Sequence, residues 1–122
     1  MKNKNYKKLK TIPTLKERWR YIFFSIDTSN IVTFEEIKNA IEDSLLNWMG
    51  TEKYAKAKPK IIKNLWSGKT GVIRCLYKYV NDVKISLALI AQIGDSHVIF
   101  KTLLVSGTIK SGSKKIKNLN KN

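Results

Sequence analysis

The chain has 122 residues and carries 24 Lys and Arg against nine Asp and Glu, a net charge of +15. This length allows one small domain with a single core, and the charge favours a polyanionic partner such as nucleic acid. No run of about 18 apolar residues is present, and the N-terminus lacks the apolar region of a signal peptide. These features argue against a membrane partner, and we expect a cytoplasmic protein.

The positive charge is concentrated at the two ends of the chain. Residues 1–20 hold eight basic side chains and one acid, and residues 107–122 hold five lysines and no acid. The stretch between these ends is nearly balanced in charge. We therefore expect a basic N-terminal arm over residues 1–14, an α/β domain over residues 15–108 and a basic C-terminal tail over residues 109–122.

The first predicted element is a strand over residues 18–27, which are rich in aromatic and β-branched side chains. Because side chains alternate along a strand, one face is aliphatic and suited to a core, with Ile22, Phe24 and Ile26. The opposite face is aromatic and polar, with Trp19, Tyr21, Phe23 and Ser25.

A long helix should follow this strand. Thr33 and Glu36 have the spacing of a capping box, which predicts the start of the helix. Apolar residues then recur every three or four positions as far as Trp48, which we expect in the core. Gly50 is well placed to end the helix, and residues 53–58 can add one more helical turn before the next strand.

The rest of the domain is predicted to contain a strand, a turn, a strand, a helix and a strand, over residues 61–66, 67–71, 72–77, 81–94 and 97–105. Asn81 or Asp82 can cap this second helix, and Gly94 can end it. The resulting order is β-α-β-β-α-β. This order predicts an α+β fold of the ferredoxin-like or RRM-like type, a four-stranded antiparallel sheet with both helices on one face.

The side chains offer little support for an active site. Cys75 and His97 are the single cysteine and histidine, and they fall on different predicted strands. The carboxylates are dispersed, so neither a nucleophile pair nor a two-metal nuclease site is indicated. We expect no catalytic residue, and no metal or cofactor bound by this chain.

The candidate RNA-binding side chains are basic or hydroxyl-bearing residues near strand ends, in turns and in the tail: Arg18, Arg20, Lys69, Arg74, Lys78, Lys101, Thr108, Lys110, Lys114 and Lys115. Thr108 and Lys110 belong to a turn that could grip a phosphate or could merely terminate the last strand. The aromatic residues of the open sheet face are candidates for stacking or for an interface: Trp19, Tyr21 and Phe23. Their partner could be RNA, another protein or a second copy of the chain.

Four segments carry a resemblance to a known family: residues 20–24 (Arg-Tyr-Ile-Phe-Phe), 70–75 (Thr-Gly-Val-Ile-Arg-Cys), 78–80 (Lys-Tyr-Val) and 102–110 (Thr-Leu-Leu-Val-Ser-Gly-Thr-Ile-Lys). In this order and spacing they resemble archaeal ribonuclease P protein component 2, over about residues 15–110.

The resemblance implies a subunit of the ribonucleoprotein endonuclease that removes the 5′ leader from precursor tRNA. In that family the RNA is the catalyst, and Mg²⁺ serves the RNA component. The implied partners are ribonuclease P RNA, protein component 3 and other protein subunits, with precursor tRNA contacted indirectly. The protein would support the catalytic domain of the RNA by position and charge.

Two alternatives remain at this point. A ferredoxin-like regulatory or assembly module would bind a protein or a small ligand on its open sheet face, and its binding would depend weakly on salt. A stand-alone basic nuclease is poorly supported, because the carboxylates do not cluster. The sequence does not specify which RNA elements are contacted, how many copies assemble or which face meets component 3.

Overall fold

The computed structural model describes residues 17–120, so the basic arm predicted over residues 1–14 lies outside the described residues. Within that range the elements are, in chain order, β1 (Trp19–Asp27), α1 (Phe34–Ala57), β2 (Lys60–Ile61), β3 (Thr70–Leu76), α2 (Val80–Ala88), β4 (Gln92–Ile93), β5 (Ser96–His97), β6 (Ile99–Ser106) and α3 (Ile109–Asn120). Two short 3₁₀ turns follow β2 and β3, at Lys63–Leu65 and Tyr77–Tyr79.

Four strands form the main sheet in the order β2-β3-β1-β6, and every neighbouring pair is antiparallel. The central strands are β1 and β3, whereas β2 and β6 are the edges. The short strands β4 and β5 form a separate hairpin. This is the ferredoxin-like α+β arrangement that the order of elements predicts, and that prediction is confirmed.

The core lies between one face of the sheet and the helices α1 and α2. Its fully buried side chains include Ile22 and Phe24 on β1, Ile41 on α1 and Leu87 on α2. Each such side chain stabilises the fold by about 1.5–3 kcal/mol relative to an exposed position. The helices are also joined by a hydrogen bond, in which the Ser44 hydroxyl donates to a carbonyl of α2 at 2.6 Å.

Helix α1 begins at the predicted capping box but continues past its predicted end. The Thr33 hydroxyl accepts from the Glu36 amide at 3.2 Å, and the Glu36 carboxylate accepts from the Thr33 amide at 3.0 Å. Gly50 leaves the helical conformation with φ of 83°, yet the helix resumes and ends at Ala57. The predicted stop is therefore a kink. Trp48 is 47% exposed, so its placement in the core was wrong.

Two predicted elements of the second half are shorter in the structure. The strand expected over residues 61–66 is reduced to β2, because the chain turns into a 3₁₀ helix at Lys63–Leu65. The helix expected over residues 81–94 ends at Ala88, and Gly94, with φ of 61°, lies in the turn of the β4–β5 hairpin. Ile93 reaches the core from the short strand β4 and not from a helix.

The stretch expected to be a tail forms the amphipathic helix α3. Thr108 precedes this helix, and its hydroxyl accepts from the Ser111 amide at 3.1 Å, as a cap does. The side of α3 that meets the sheet is formed by residues at helical spacing: Ile109, Gly112, Ser113 and Ile116. Its lysines are exposed. The sequence does not predict this helix, because a glycine and a serine occupy two of the four positions on its inner face and interrupt the apolar pattern.

Candidate nucleic-acid interface

The face of the sheet that points away from the core is organised in rows by strand register. One row is apolar, with Val72 on β3, Phe23 on β1 and Leu104 on β6. The next row is polar and aromatic, with Lys60, Arg74, Tyr21 and Ser106 on four successive strands. Trp19 and Leu76 form a third row. We call the first row the covered half of this face and the other two rows the open half, in which Ser106 is the one buried residue.

Helix α3 lies over the covered half. Phe23 is 7% exposed and Val72 is 3% exposed, although neither belongs to the main core. A Cβ atom on Gly112 would collide with the Phe23 ring, so glycine is what allows the α3 backbone to approach the sheet this closely. Phe23, a candidate for stacking or an interface, is therefore packed against α3 of its own chain.

The open half carries Arg74, stacked on an aromatic ring and without a carboxylate partner. Its guanidinium carbon lies 3.9 Å from the centroid of the Trp19 ring. The Arg74 Nε is buried and has no hydrogen-bond partner among residues 17–120. The ion pairs within the same range involve other residues, Lys53 with Asp82 and Lys58 with Glu17. The Arg74 charge is therefore not neutralised by any described side chain.

Three further predicted residues lie at the same end of the sheet as Arg74. The Arg18 guanidinium lies 5.8 Å from the centroid of the Tyr77 ring, and the Arg18 carbonyl accepts from the Tyr77 amide at 2.9 Å. Arg20 donates from Nη1 to the Trp19 carbonyl at 2.9 Å. Lys78 is exposed in the 3₁₀ turn that follows β3. These side chains and Arg74 place positive charge where β1 begins and β3 ends, but Arg20 alternates with Tyr21 along β1 and therefore lies on the opposite face from Arg74.

Two other predicted residues lie at the opposite end of the sheet. Ser25 pairs with Thr70 on one side and with Lys101 on the other, and Lys69 immediately precedes Thr70. The Ser67 hydroxyl accepts from the Thr70 amide at 3.0 Å and thus closes the turn around Lys69. This segment is the hairpin turn that we predicted, and Lys69 and Lys101 are exposed there, away from the Arg74 cluster.

The last four predicted residues are on or beside α3. Lys110, Lys114 and Lys115 are exposed, whereas the Thr108 hydroxyl is engaged in capping. The role of all ten residues in RNA binding stays a prediction. Sequence reasoning missed Lys60, which lies opposite Arg74. Only the register of β2 on β3 reveals this neighbour, and no local sequence signal specifies that register.

Within residues 17–120 the cysteine is not activated as a nucleophile, and no cluster of metal ligands occurs. Cys75 is fully buried in the sheet, and this burial, reinforced by the Asp82 carboxylate, raises the pKa of its thiol to about 11. The thiol is therefore protonated at neutral pH. His97 is exposed on the β4–β5 hairpin. No group of three or more His, Cys, Asp or Glu could hold a metal ion within residues 17–120.

One groove on the helical side of the molecule is lined by acids instead of cations. This groove of about 710 Å³ between α1 and the segment after α2 is lined by Trp48, Leu89 and Ile93, together with the acids Glu36 and Asp43. No lysine or arginine lines it, so it is unsuited to a phosphate backbone. Among the described helices, none is both long enough and apolar enough to span a bilayer.

Comparison with known proteins identifies relatives along most of the chain. The model of the Rpp14/Pop5 family matches residues 20–117. Ribonuclease P protein component 2 of Pyrococcus furiosus is 44% identical over 98 residues, which cover 80% of this chain and 82% of the relative. The Pyrococcus abyssi protein of the same name is 40% identical, with 88% and 92% covered, and that of Methanocaldococcus jannaschii is 34% identical, with 93% and 84% covered.

A solved structure shares the fold. A chain in the cryo-EM structure of yeast ribonuclease MRP superimposes with a TM-score of 0.61 at 12% identity, covering 87% of this chain and 93% of that chain. At this identity the likeness concerns the fold alone. The family match and the archaeal relatives confirm the resemblance seen in the sequence, and the chain belongs to the Rpp14/Pop5 family.

Proposed function

We propose that this chain is a protein subunit of ribonuclease P, the endonuclease that removes the 5′ leader from precursor tRNA, and that it acts by binding RNA phosphates. The observation that carries the proposal is Arg74, held on the Trp19 ring beside Lys60 with no described carboxylate to neutralise it. The names of the archaeal relatives support the assignment to ribonuclease P.

In this proposal the RNA component performs the chemistry and the protein supplies charge and position. Mg²⁺ would be bound by phosphates of the RNA and the substrate, since Mg²⁺ prefers oxygen ligands and substrate phosphates. The role of the protein cations is to reduce repulsion between RNA phosphates that must lie close together. The RNA fold would then require less Mg²⁺ when the protein is bound.

The same proposal includes protein partners, among them ribonuclease P protein component 3, and an indirect contact with precursor tRNA in the cytoplasm. A basic protein segment could bind in the groove between α1 and the segment after α2, because acids and apolar side chains line it. A module that binds a small ligand on its open sheet face is the weaker alternative, because α3 already occupies the covered half.

The test is cleavage of precursor tRNA by the RNA component, reconstituted with and without the chain over a range of Mg²⁺ concentrations. We expect the wild-type chain to lower the Mg²⁺ required. Arg74→Met keeps an unbranched side chain over Trp19 but removes the charge, so it should raise the Mg²⁺ midpoint, and added Mg²⁺ should restore activity.

Lys56→Ala is the matched control, because Lys56 is exposed on α1 on the other side of the molecule. This variant should leave the Mg²⁺ midpoint of cleavage unchanged within error. Two results would contradict the proposal. The chain could cleave precursor tRNA without any RNA component, or the Arg74 defect could persist at every Mg²⁺ concentration.

A further inference from the structure

Two positive charges lie directly opposite each other in the open half. Lys60 on β2 pairs with Arg74 on β3 in antiparallel register. Side chains in such a pair share one face with their Cβ atoms about 5 Å apart, and like charges there destabilise the sheet. The ion pairs of residues 17–120 involve neither residue. An anion from another molecule would therefore be stabilised between them.

The orientation of Arg74 is fixed before any anion arrives. The Arg74 guanidinium stacks on the Trp19 ring at 3.9 Å from its centroid, and the Arg74 Nε is buried. A cation that is already ordered and partly removed from water binds an anion with a smaller loss of side-chain freedom and with stronger attraction. Lys60 is exposed on an edge strand, which leaves the pair accessible from the side.

The surroundings favour a phosphate of RNA over a carboxylate of a protein. Lys60 and Arg74 lie beside the rings of Trp19 and Tyr21, with Arg74 stacked on Trp19 and directly opposite Tyr21 on β1. Cations interleaved with aromatic rings suit a nucleotide, because the rings stack with a base while the cations hold its phosphate. An acidic peptide would use the cations and leave the Tyr21 ring without a stacking partner.

The position of α3 also restricts the form of the RNA. Bases in a duplex are stacked on one another and cannot lie flat on a protein ring, whereas an unpaired base can. The covered half is closed by α3 over Phe23, so the ring available for stacking in the row of Arg74 is that of Tyr21. The space therefore suits a single nucleotide better than the several bases that an uncovered sheet would hold.

We infer that Lys60, Arg74 and Tyr21, with Trp19 supporting Arg74, form a binding site for one unpaired RNA nucleotide. Its phosphate lies between Lys60 and Arg74, and its base stacks on Tyr21. This inference rests on the proposed function and makes it more specific. It distinguishes a site for one unpaired nucleotide from the nonspecific attraction between RNA phosphates and lysines.

Lys60→Glu in the full-length chain tests this site. The new carboxylate would lie opposite Arg74 and pair with it, so the melting temperature should rise by roughly 2–4 °C. The same pair would occupy the anion site, so the affinity for a short single-stranded oligouridine should fall by about tenfold. The affinity for an RNA duplex should fall only as much as it does in Lys56→Glu, a control with the same change in net charge.

A second variant tests the stacking step. Tyr21→Leu should weaken binding of the oligouridine about fivefold or more and leave duplex binding unchanged. Equal losses in Lys60→Glu and Lys56→Glu would overturn the inference, as would an unchanged affinity in Tyr21→Leu. Displacement of the oligouridine by polyglutamate at lower concentration than by unlabelled oligouridine would overturn it in favour of an acidic protein. If the wild-type chain bound no RNA of either form, the proposed function itself would fail.

Discussion

The two halves of one sheet face differ in what covers them. In the covered half, Phe23 and Val72 are buried, and Phe23 packs against α3. In the open half, Arg74 and Tyr21 are only partly buried, and Arg74 belongs to no ion pair of residues 17–120. These residues are two positions apart on the same strands, so the backbone does not distinguish them. Burial of an apolar row by the chain's own helix stabilises the fold. Burial of a charged row would instead remove its hydration without supplying a partner. In our proposal, one half of the face serves folding and the other half serves binding.

The largest expected effect comes from breaking the covered half with Gly112→Val. The new side chain would meet the Phe23 ring, so α3 must lift away and expose apolar surface. We expect the free energy of unfolding to fall by about 2 kcal/mol, even though valine is slightly better than glycine inside a helix. The urea midpoint measures this change, and amide hydrogen exchange should show earlier exchange in α3.

Ser111→Val is the matched control, because Ser111 is the preceding residue of α3 and is exposed. It should change the free energy of unfolding by less than about 0.5 kcal/mol. Equal stability of the two variants would mean that α3 does not depend on its contact with Phe23, and the division of the face into two halves would lose its physical basis.

A smaller effect is expected on the outer side of α3, where Lys114 and Lys115 are exposed. If they contact phosphates, replacing both with alanine should reduce the slope of log affinity against log salt by about 1.4–1.8. Stability should be nearly unchanged, and single-stranded and duplex RNA should be affected alike. A slope identical to that of the wild-type chain would show that α3 covers the sheet without contacting RNA.

The parts of the fold that the sequence predicts are those fixed by local patterns. The capping box of Thr33 and Glu36 and the alternation around Phe24 each lie within a few residues, and both predictions are confirmed. Trp48 was misplaced because one apolar stripe on a helix allows two adjacent positions to face the core. Met49 takes that place, four residues after Leu45.

The candidate site was only partly predictable, because its contacts are not local in sequence. Arg74 was recognisable as a charge inside a strand, but its neighbours depend on contacts between distant segments. Lys60 reaches Arg74 through the pairing of β2 with β3, and Gly112 reaches Phe23 through the packing of α3 on β1. Neither contact leaves a periodic signal, since one involves a strand of two residues and the other a residue without a side chain.

The central claim is that RNA contacts the open half and not the covered half. Photo-crosslinking in the reconstituted ribonucleoprotein tests this most directly, with a benzophenone amino acid placed either at Tyr21 or at Phe23. These positions lie on the same strand and the same face. We expect crosslinks to RNA from position 21, and crosslinks to α3 of the same chain from position 23. Crosslinks to RNA from position 23, or to protein alone from position 21, would contradict the account.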